Sequence, residues 1–358
     1  METWSDSSSG GPREAGGPVS VVIPAYNARA TLGRCLEALA RQTRRPREIV
    51  VVDNASSDGT GAVARAFRDR LPHLRVVEEP SCGEAHARNR GVAEARGEVI
   101  AFTDADCVPE PTWLERLLEP LGEAGLAAVT GEVTGDRPRS LAEKCVSVTA
   151  FPTGGRAEVV EGLRFPPVTF YTANFAVRRQ VLLSLGPFDV TMKTGHDVDL
   201  CCRLLRGGYR IAYVPEALVA HVHRDSFRKV LRRLYQYGRG VPPLFRKHYA
   251  HGAWVTLPGG RAVRLPRAVA PCWINVGTPD RVLCALALAA LRQPWLWVAA
   301  GAYLVRIALR LRAVARRRGV PLRWWEVGAV TAAHVVEFPV FTAGCVAEAV
   351  RQRLLCVV

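Results

Sequence analysis

The first hundred residues repeat one unit: a short β-branched apolar run, a turn-rich connection, then a stretch with helical spacing. Val19–Ile23, Glu48–Asp53, Leu74–Val77 and Glu98–Thr103 are the runs. Between the first two, Leu32, Cys35, Leu36 and Leu39 fall on one helical face. Val63, Ala66 and Phe67 mark a second helix, and residues 84–96, bounded by Gly83 and Gly97, a third. Such alternation predicts right-handed βαβ units and an α/β fold around a mainly parallel sheet with helices on both faces. Ligands of such sheets bind beyond the carboxyl ends of the strands. Asp53, Asp104 and Asp106 all stand at such ends, and that coincidence is the first functional signal.

After about residue 126 the pattern changes to Gly/Pro-punctuated segments suited to loops and short strands around a cleft: Thr130–Gly135, Phe151–Gly155 and Phe165-Pro-Pro. A helix over 197–206 and a strand over Tyr209–Val214 follow. Residues 1–17, rich in Ser, Gly and Pro, read as a flexible leader; with no apolar core they are not a secretory signal. The ten cysteines are scattered, without a C-x-x-C pair, so they read as reduced, buried thiols rather than a zinc site or a disulfide framework.

Asp104-Ala-Asp106 carries the sharpest chemistry. Two acids one residue apart at a strand end can aim oxygen ligands at a hard divalent cation that in turn holds a diphosphate. Two solvated loop acids are the plain alternative, and the preceding βα units favour the ligand reading. Asp53, otherwise a turn acid, is suited to hydrogen bonding with a nucleobase or ribose.

Val21–Asn27, Val51–Thr60, Ala87-Arg-Asn-Arg-Gly91 and Phe102–Asp106 together resemble the successive motifs of family 2 glycosyltransferases with the GT-A fold. The resemblance runs from about Val19 to about Gly240. It implies that Pro24, Ala25, Tyr26 and Asp53 line a nucleotide-base pocket. Arg88 would lie near the base or diphosphate, Asp104 on the ribose side, and Asp106 on a Mg2+ or Mn2+ ion. Arg88 could equally belong to an ordinary charged helix surface with Glu84, Arg90 and Glu94.

Thr172-Ala-Asn174-Phe-Ala, Gly186-Pro-Phe-Asp189 and Gly195-His-Asp-Val-Asp-Leu200 continue the resemblance, with His196 where the family usually has Glu. Asp197 would be the general base, taking the acceptor hydroxyl proton as it attacks the anomeric carbon. Asn174, His196, Asp199, Gln236 and Arg239 would lie on the acceptor side, although an acid such as Asp199 is favoured at a helix start in any case. His221 and His223 share a strand face, and the resemblance points to His221 as a metal ligand. Gln236-Tyr-Gly-Arg239-Gly240 resembles the Q-x-x-R-W element of processive synthases, with Gly at the Trp position. That departure argues for a single transfer.

Charge then divides the chain. Residues 224–358 hold 22 Lys and Arg against 5 Asp and Glu; residues 1–223 stand near neutrality, so the whole formal excess of +15 lies in the last third. Residues 224–268 interleave arginine with aromatics. Two apolar stretches follow, 282–305 and 327–347, each about long enough to span a bilayer. Arg292 interrupts the first, His334 and Glu337 the second, and the Arg-rich link between them would violate the positive-inside rule if the first crossed. These features predict helices lying in or dipping into the cytoplasmic leaflet, with arginines on anionic headgroups; a spanning hairpin or a soluble helical subdomain are the other readings.

The expected organisation is thus a leader (1–17), a GT-A domain (18–240, with a nucleotide-binding half 18–125 and an acceptor half 126–240), and a basic, hydrophobic helical region (241–358). The expected activity is inverting transfer of one sugar from a nucleotide-diphospho-sugar, UDP-linked by preference, to a lipid-linked or envelope-glycan hydroxyl. Three other classes fit less well. A nucleotidyltransferase would want a Gly-rich, basic loop after the first strand, and Pro24-Ala-Tyr-Asn is unlike one. A nucleic-acid-binding module would leave the strand-end acids idle, so no nucleic-acid partner is expected. An inactive relative would have less reason to retain every matched acid.

Overall fold

The first strands are buried nearly throughout, with alternate side chains entering opposite cores, and this sorts the helices onto two faces. The computed structural model describes residues 17–123, 125–150, 156–167, 170–250, 252–265 and 271–358. The expected leader, apart from Gly17, and the Phe151–Gly155 segment therefore lie outside the described residues. The first half runs β1 (Val19–Ala25), α1 (Leu32–Ala40), β2 (Glu48–Asp53), α2 (Thr60–Arg65), β3 (Leu74–Glu78), α3 (Glu84–Glu94) and β4 (Val99–Phe102). Val19, Val21, Ile23 and Ala25 of β1 point to one core with the apolar stripe of α1. Val22, with Val50 and Val52, points to the other, beneath Ala85, Ala87 and Val92 of α3. A strand's period of two places alternate side chains in opposite cores.

The four strands are parallel in the order β3-β2-β1-β4. Beyond β4 the sheet turns mixed, through β5 (Cys107–Pro109), α4 (Trp113–Leu118), β6 (Leu126–Gly135), α5 (Leu141–Thr149), β7 (Glu158–Val160), β8 (Phe175–Arg178), α6 (Arg179–Leu185), α7 (His196–Arg206) and β9 (Arg210–His221). β8 is antiparallel to both β4 and β6, β6 and β9 are parallel, and β5 and β7 pair antiparallel with β9. The β5–β9 pairing sets Cys107 opposite His221. It thereby carries the residue before β5, Asp106, to the end of β9.

The remainder is α8 (Phe227–Tyr249), β10 (Ala253–Thr256), β11 (Ala262–Leu265), β12 (Cys272–Asn275), α9 (Pro279–Ala290), α10 (Leu296–Arg317), α11 (Trp324–Arg351) and β13 (Leu355–Val357). The short strands form a separate four-stranded sheet. α8 runs unbroken through residue 240, the expected boundary. The first apolar stretch is not one helix: it breaks between α9 and α10 around Gln293-Pro294, because proline cannot continue the backbone ladder. Arg292 falls in that elbow rather than within a helix.

The second stretch is α11, whose polar residues face the domain beneath. Glu337 accepts from Thr149 of α5 at 3.2 Å and pairs with His334 at 3.3 Å. Glu326 binds Lys144 at 2.7 Å, Glu348 binds Arg239 at 2.8 Å, and Arg318 reaches Glu132 at 2.9 Å. α11 also crosses α8 at glycines on both helices. A Cβ at Gly344 would overlap the carbonyl of Tyr235, and one at Gly238 the carbonyl of Phe341. Glu337, which interrupts the second apolar stretch, thus joins Glu326 and Arg318 just outside the stretches in fastening the helices to the sheet domain.

Candidate active site

Asn54, following the last residue of β2, sets the cleft's first wall. Its amide donates to the carbonyls of Glu79 and Ser81 and accepts from the Gly83 N–H at 2.8 Å. That fixes the start of α3 against the end of β2. Asn89 does the same on the far side, exchanging hydrogen bonds with the backbone of Phe188. Held between these ties, Arg88 turns inward. It is 3% exposed, so it is not the surface helix residue that its spacing from Glu84 also allowed.

Arg88 donates to Asp104 Oδ1 at 3.0 Å, to Glu84 at 3.4 Å and to His196 Nε2 at 2.6 Å. A guanidinium has only donors, so the imidazole accepts through Nε2 and is neutral. Burial and then Arg88 hold its pKa down to about 4. His196 therefore replaces a carboxylate with an uncharged acceptor and leaves Arg88 more of its positive charge for other anions.

Asp197 follows. Burial pushes its carboxyl up to about 6, against the pull of the Val198 N–H, which it accepts at 2.9 Å, and of Arg88. A carboxylate poised this close to neutrality suits a general base. Burial and the neighbouring Asp106 likewise raise Asp104, against the opposing charge of Arg88.

Asp106 and His221 form the second wall. Asp106 Oδ1 lies 3.4 Å from His221 Nε2, and with Cys107 Sγ these atoms fall within 4.8 Å of one another. Burial drives the Cys107 thiol well above its ordinary range, so it stays protonated and is a poor ligand. A carboxylate oxygen and an imidazole nitrogen converging at a strand end fit a divalent cation such as Mn2+ or Mg2+. His223 is buried, its ring stacked on His221 at 5.1 Å between centroids. Of the two histidines, His221 is the one that meets Asp106.

Pro24, Tyr26 and Asp53 border the cleft at the ends of β1 and β2; Tyr26 is 58% exposed, and Asp53 Oδ1 accepts from the Ser56 N–H at 3.2 Å. Four expected residues take other parts. Ala25 is buried in the core, and its carbonyl is bonded to the Asn54 N–H, so its side chain lines no pocket. Asn174, 0% exposed, accepts from the Trp113 indole and donates to the carbonyls of Glu132 and Ala217, so its amide is spent on the fold. Asp199 is buried against Arg203, Lys247 and His248, where it joins α7 to α8. Arg239 is committed to Glu348. Gln236 stays exposed on α8. Thr194 fills the space beside Gly240, where any Cβ would collide with it, so the Trp of the processive element has no room.

The sequence reading missed Glu84 and Arg233 as site residues. Arg233 of α8 donates to Glu84 at 3.0 Å and stacks on Tyr237 at 4.6 Å, linking the basic helix to the Arg88 cluster. The four-residue spacing of Glu84 and Arg88 was the available signal.

The description "Glycosyl transferase family 2" belongs to a family model that matches residues 20–184. Glycosyltransferase AglE of Haloferax volcanii is 32% identical over 62% of this chain and 72% of its own length. The pre-mycofactocin glycosyltransferase of Mycobacterium tuberculosis is also 32% identical, over 78% of this chain but 58% of its own length. A mannosyltransferase of Pyrobaculum calidifontis, solved with GDP-Man and Mn2+, superposes over 96% of this chain and 91% of its own with a TM-score of 0.55 at 22% identity. TarS 1-349 of S. aureus with UDP-GlcNAc gives 0.51 at 17%, over 94% and 92%. The two structures share the GT-A fold with this chain.

Proposed function

The chain belongs to glycosyltransferase family 2, and from that premise we propose that it moves one sugar, with inversion, from a nucleotide-diphospho-sugar to an acceptor hydroxyl with the help of a divalent cation. One observation carries the reading: Asp106 and His221 converge on one side of the Arg88–Asp104 pair, and Asp197, poised near neutrality, sits by the same arginine. The GDP-Man and UDP-GlcNAc bound by the two structural neighbours support the donor class, and the Mn2+ of one supports the metal.

Asp106 and His221 would hold the cation, which when bound neutralises the diphosphate leaving group. Arg88 adds a buried positive charge on that side, kept available by the neutral His196. Asp197 takes the hydroxyl proton as the acceptor attacks. Gly240 in place of Trp supports release after one transfer.

The test is turnover of UDP-, GDP- and dTDP-sugars with and without EDTA. One donor class should be turned over, with activity at least about 100-fold lower under chelation. Turnover indifferent to chelation would remove the metal from the reading, and none with any donor would remove the transfer.

We further propose that the protein works at the cytoplasmic surface of a membrane on a lipid-linked or envelope-glycan acceptor. Leu288, Leu291, Trp295, Trp297 and Val298 crowd the α9–α10 elbow, all more than half exposed, with exposed Arg306, Arg310, Arg316 and Arg317 farther along α10. Apolar bodies flanked by arginine suit an anionic interface. Among the described residues only α11 is long and apolar enough to cross a membrane, with a mean hydropathy of 1.5 over its most apolar window; the ties of Glu326, Glu337 and Glu348 favour its lying against the sheet domain. Flotation with vesicles containing anionic lipid should be strong for the wild type and fall at least about fivefold for Trp295→Ser/Trp297→Ser. Equal flotation of both proteins would count against the elbow.

A further inference from the structure

We propose that a cavity of about 230 Å3 outside the catalytic cleft, between the ends of α7 and α8 and the small sheet, binds a phosphate monoester. Arg206 from the end of α7, His248 and Tyr249 from the end of α8, Trp254 of β10, Arg264 of β11 and Arg164 from the loop after β7 all line it. Among the described residues, none that lines it is acidic.

The aromatic walls are already engaged with each other. Phe165 stacks on Trp254 at 4.3 Å and meets Tyr249 edge-on at 4.9 Å, and the Tyr249 hydroxyl donates to the Arg164 carbonyl at 2.8 Å. Two polar atoms of these lining residues are left without partners. The Trp254 indole N–H is buried without a hydrogen-bond partner, and so is Nδ1 of His248, a residue 2% exposed. An unpaired buried polar atom is costly and calls for a partner.

The other ring nitrogen defines which partner fits. His248 Nε2 lies 2.8 Å from Asp199 Oδ1. Asp199 is held well below the usual carboxylate range by His248 and Lys247 despite its burial, so it is ionised and Nε2 must be the donor. In the neutral ring Nδ1 is then an acceptor, while the indole and the guanidinium groups can only donate. A phosphate monoester can answer both demands in its monoanionic form, the minor form at neutral pH because its second pKa is about 6: its bare oxygens accept from Trp254 and the arginines, and its P–OH donates to His248 Nδ1. Sulfate and carboxylate lack that proton at neutral pH. The volume leaves room for a small carbon skeleton behind the phosphate.

Calorimetric titration of the full chain with inorganic phosphate, in EDTA, tests the site. Saturable binding is expected, weakened at least about tenfold by Trp254→Phe combined with Arg264→Gln and unchanged by Asp106→Ala, which separates this cavity from the catalytic cleft. Trp254→Phe alone keeps the ring packing and removes only the donor, and near-UV circular dichroism checks that each variant folds. Sulfate should bind more weakly than phosphate. Displacement of phosphate by glycerol 3-phosphate would identify a soluble ester as the source, and displacement by phosphatidic acid vesicles alone a lipid headgroup; either supports the site. Unaltered phosphate binding in the pocket variants, absence of saturable binding, or displacement by neither ester would overturn it, whatever the donor assays show.

Discussion

Asp197→Asn is expected to slow sugar transfer by about 10²–10⁴-fold, the usual contribution of a positioned general base, while donor affinity changes little. The wild-type enzyme should show the same group in its pH profile. Only the carboxylate can take a proton, and its pKa stands at about 6, so kcat/KM should fall tenfold per unit as pH drops below about 6. Stability carries the opposite sign. Folding raises this pKa above its ordinary 3.8, so the folded state disfavours the charged form, and stability is lost as pH rises through about 6. Asparagine removes that penalty and should raise the melting temperature at pH 7.5 but not at pH 4. Steady-state rates and scanning calorimetry at the two pH values check both arms. A transfer rate within tenfold of wild type would strip Asp197 of its role.

The second large effect lies away from the chemistry. Gly344→Val should lower the melting temperature by several degrees and open the C-terminal helices to protease. The new side chain would meet the Tyr235 carbonyl head-on, with backbone on both sides of the crossing and no flexible atom to give way. Overpacking of this kind costs about 1–3 kcal/mol or more. Gly301→Ala, on α10 with nothing near it, is the matched control and should be neutral or slightly stabilising. An unchanged melting temperature for Gly344→Val would show that the two helices separate at no cost.

Local pattern made the front half legible. The ends of β2 and β4 can be read from their own β-branched runs, and the positions of Asp53, Asp104 and Asp106 follow from them. The acceptor side was less legible because its residues answer to distant partners. Arg239 meets Glu348 109 positions away, Asp199 meets His248 49 away, and Asn174 binds carbonyls some 40 residues away on two strands. No spacing rule distinguishes a carboxylate that grips a substrate from one that grips a helix. The inward turn of Arg88 depended likewise on His196, 108 residues on. The break in the first apolar stretch is a different case: Gln293-Pro294 stands in plain view, and hydropathy alone outweighed a residue that cannot continue a helix.

The glycine-lined crossing of α8 and α11, with Arg239–Glu348 beside it and Lys144–Glu326 at the far end, acts as a strut. It braces α11, against which α9 and α10 pack. Were the elbow to rest on a membrane surface, as proposed, the height of Asp197 above that surface would be set. Acceptors would then be sorted by length: a hydroxyl carried at that height meets the base, while one a sugar nearer or farther misses it. A rigid strut would make this enzyme a gauge of its acceptor's length.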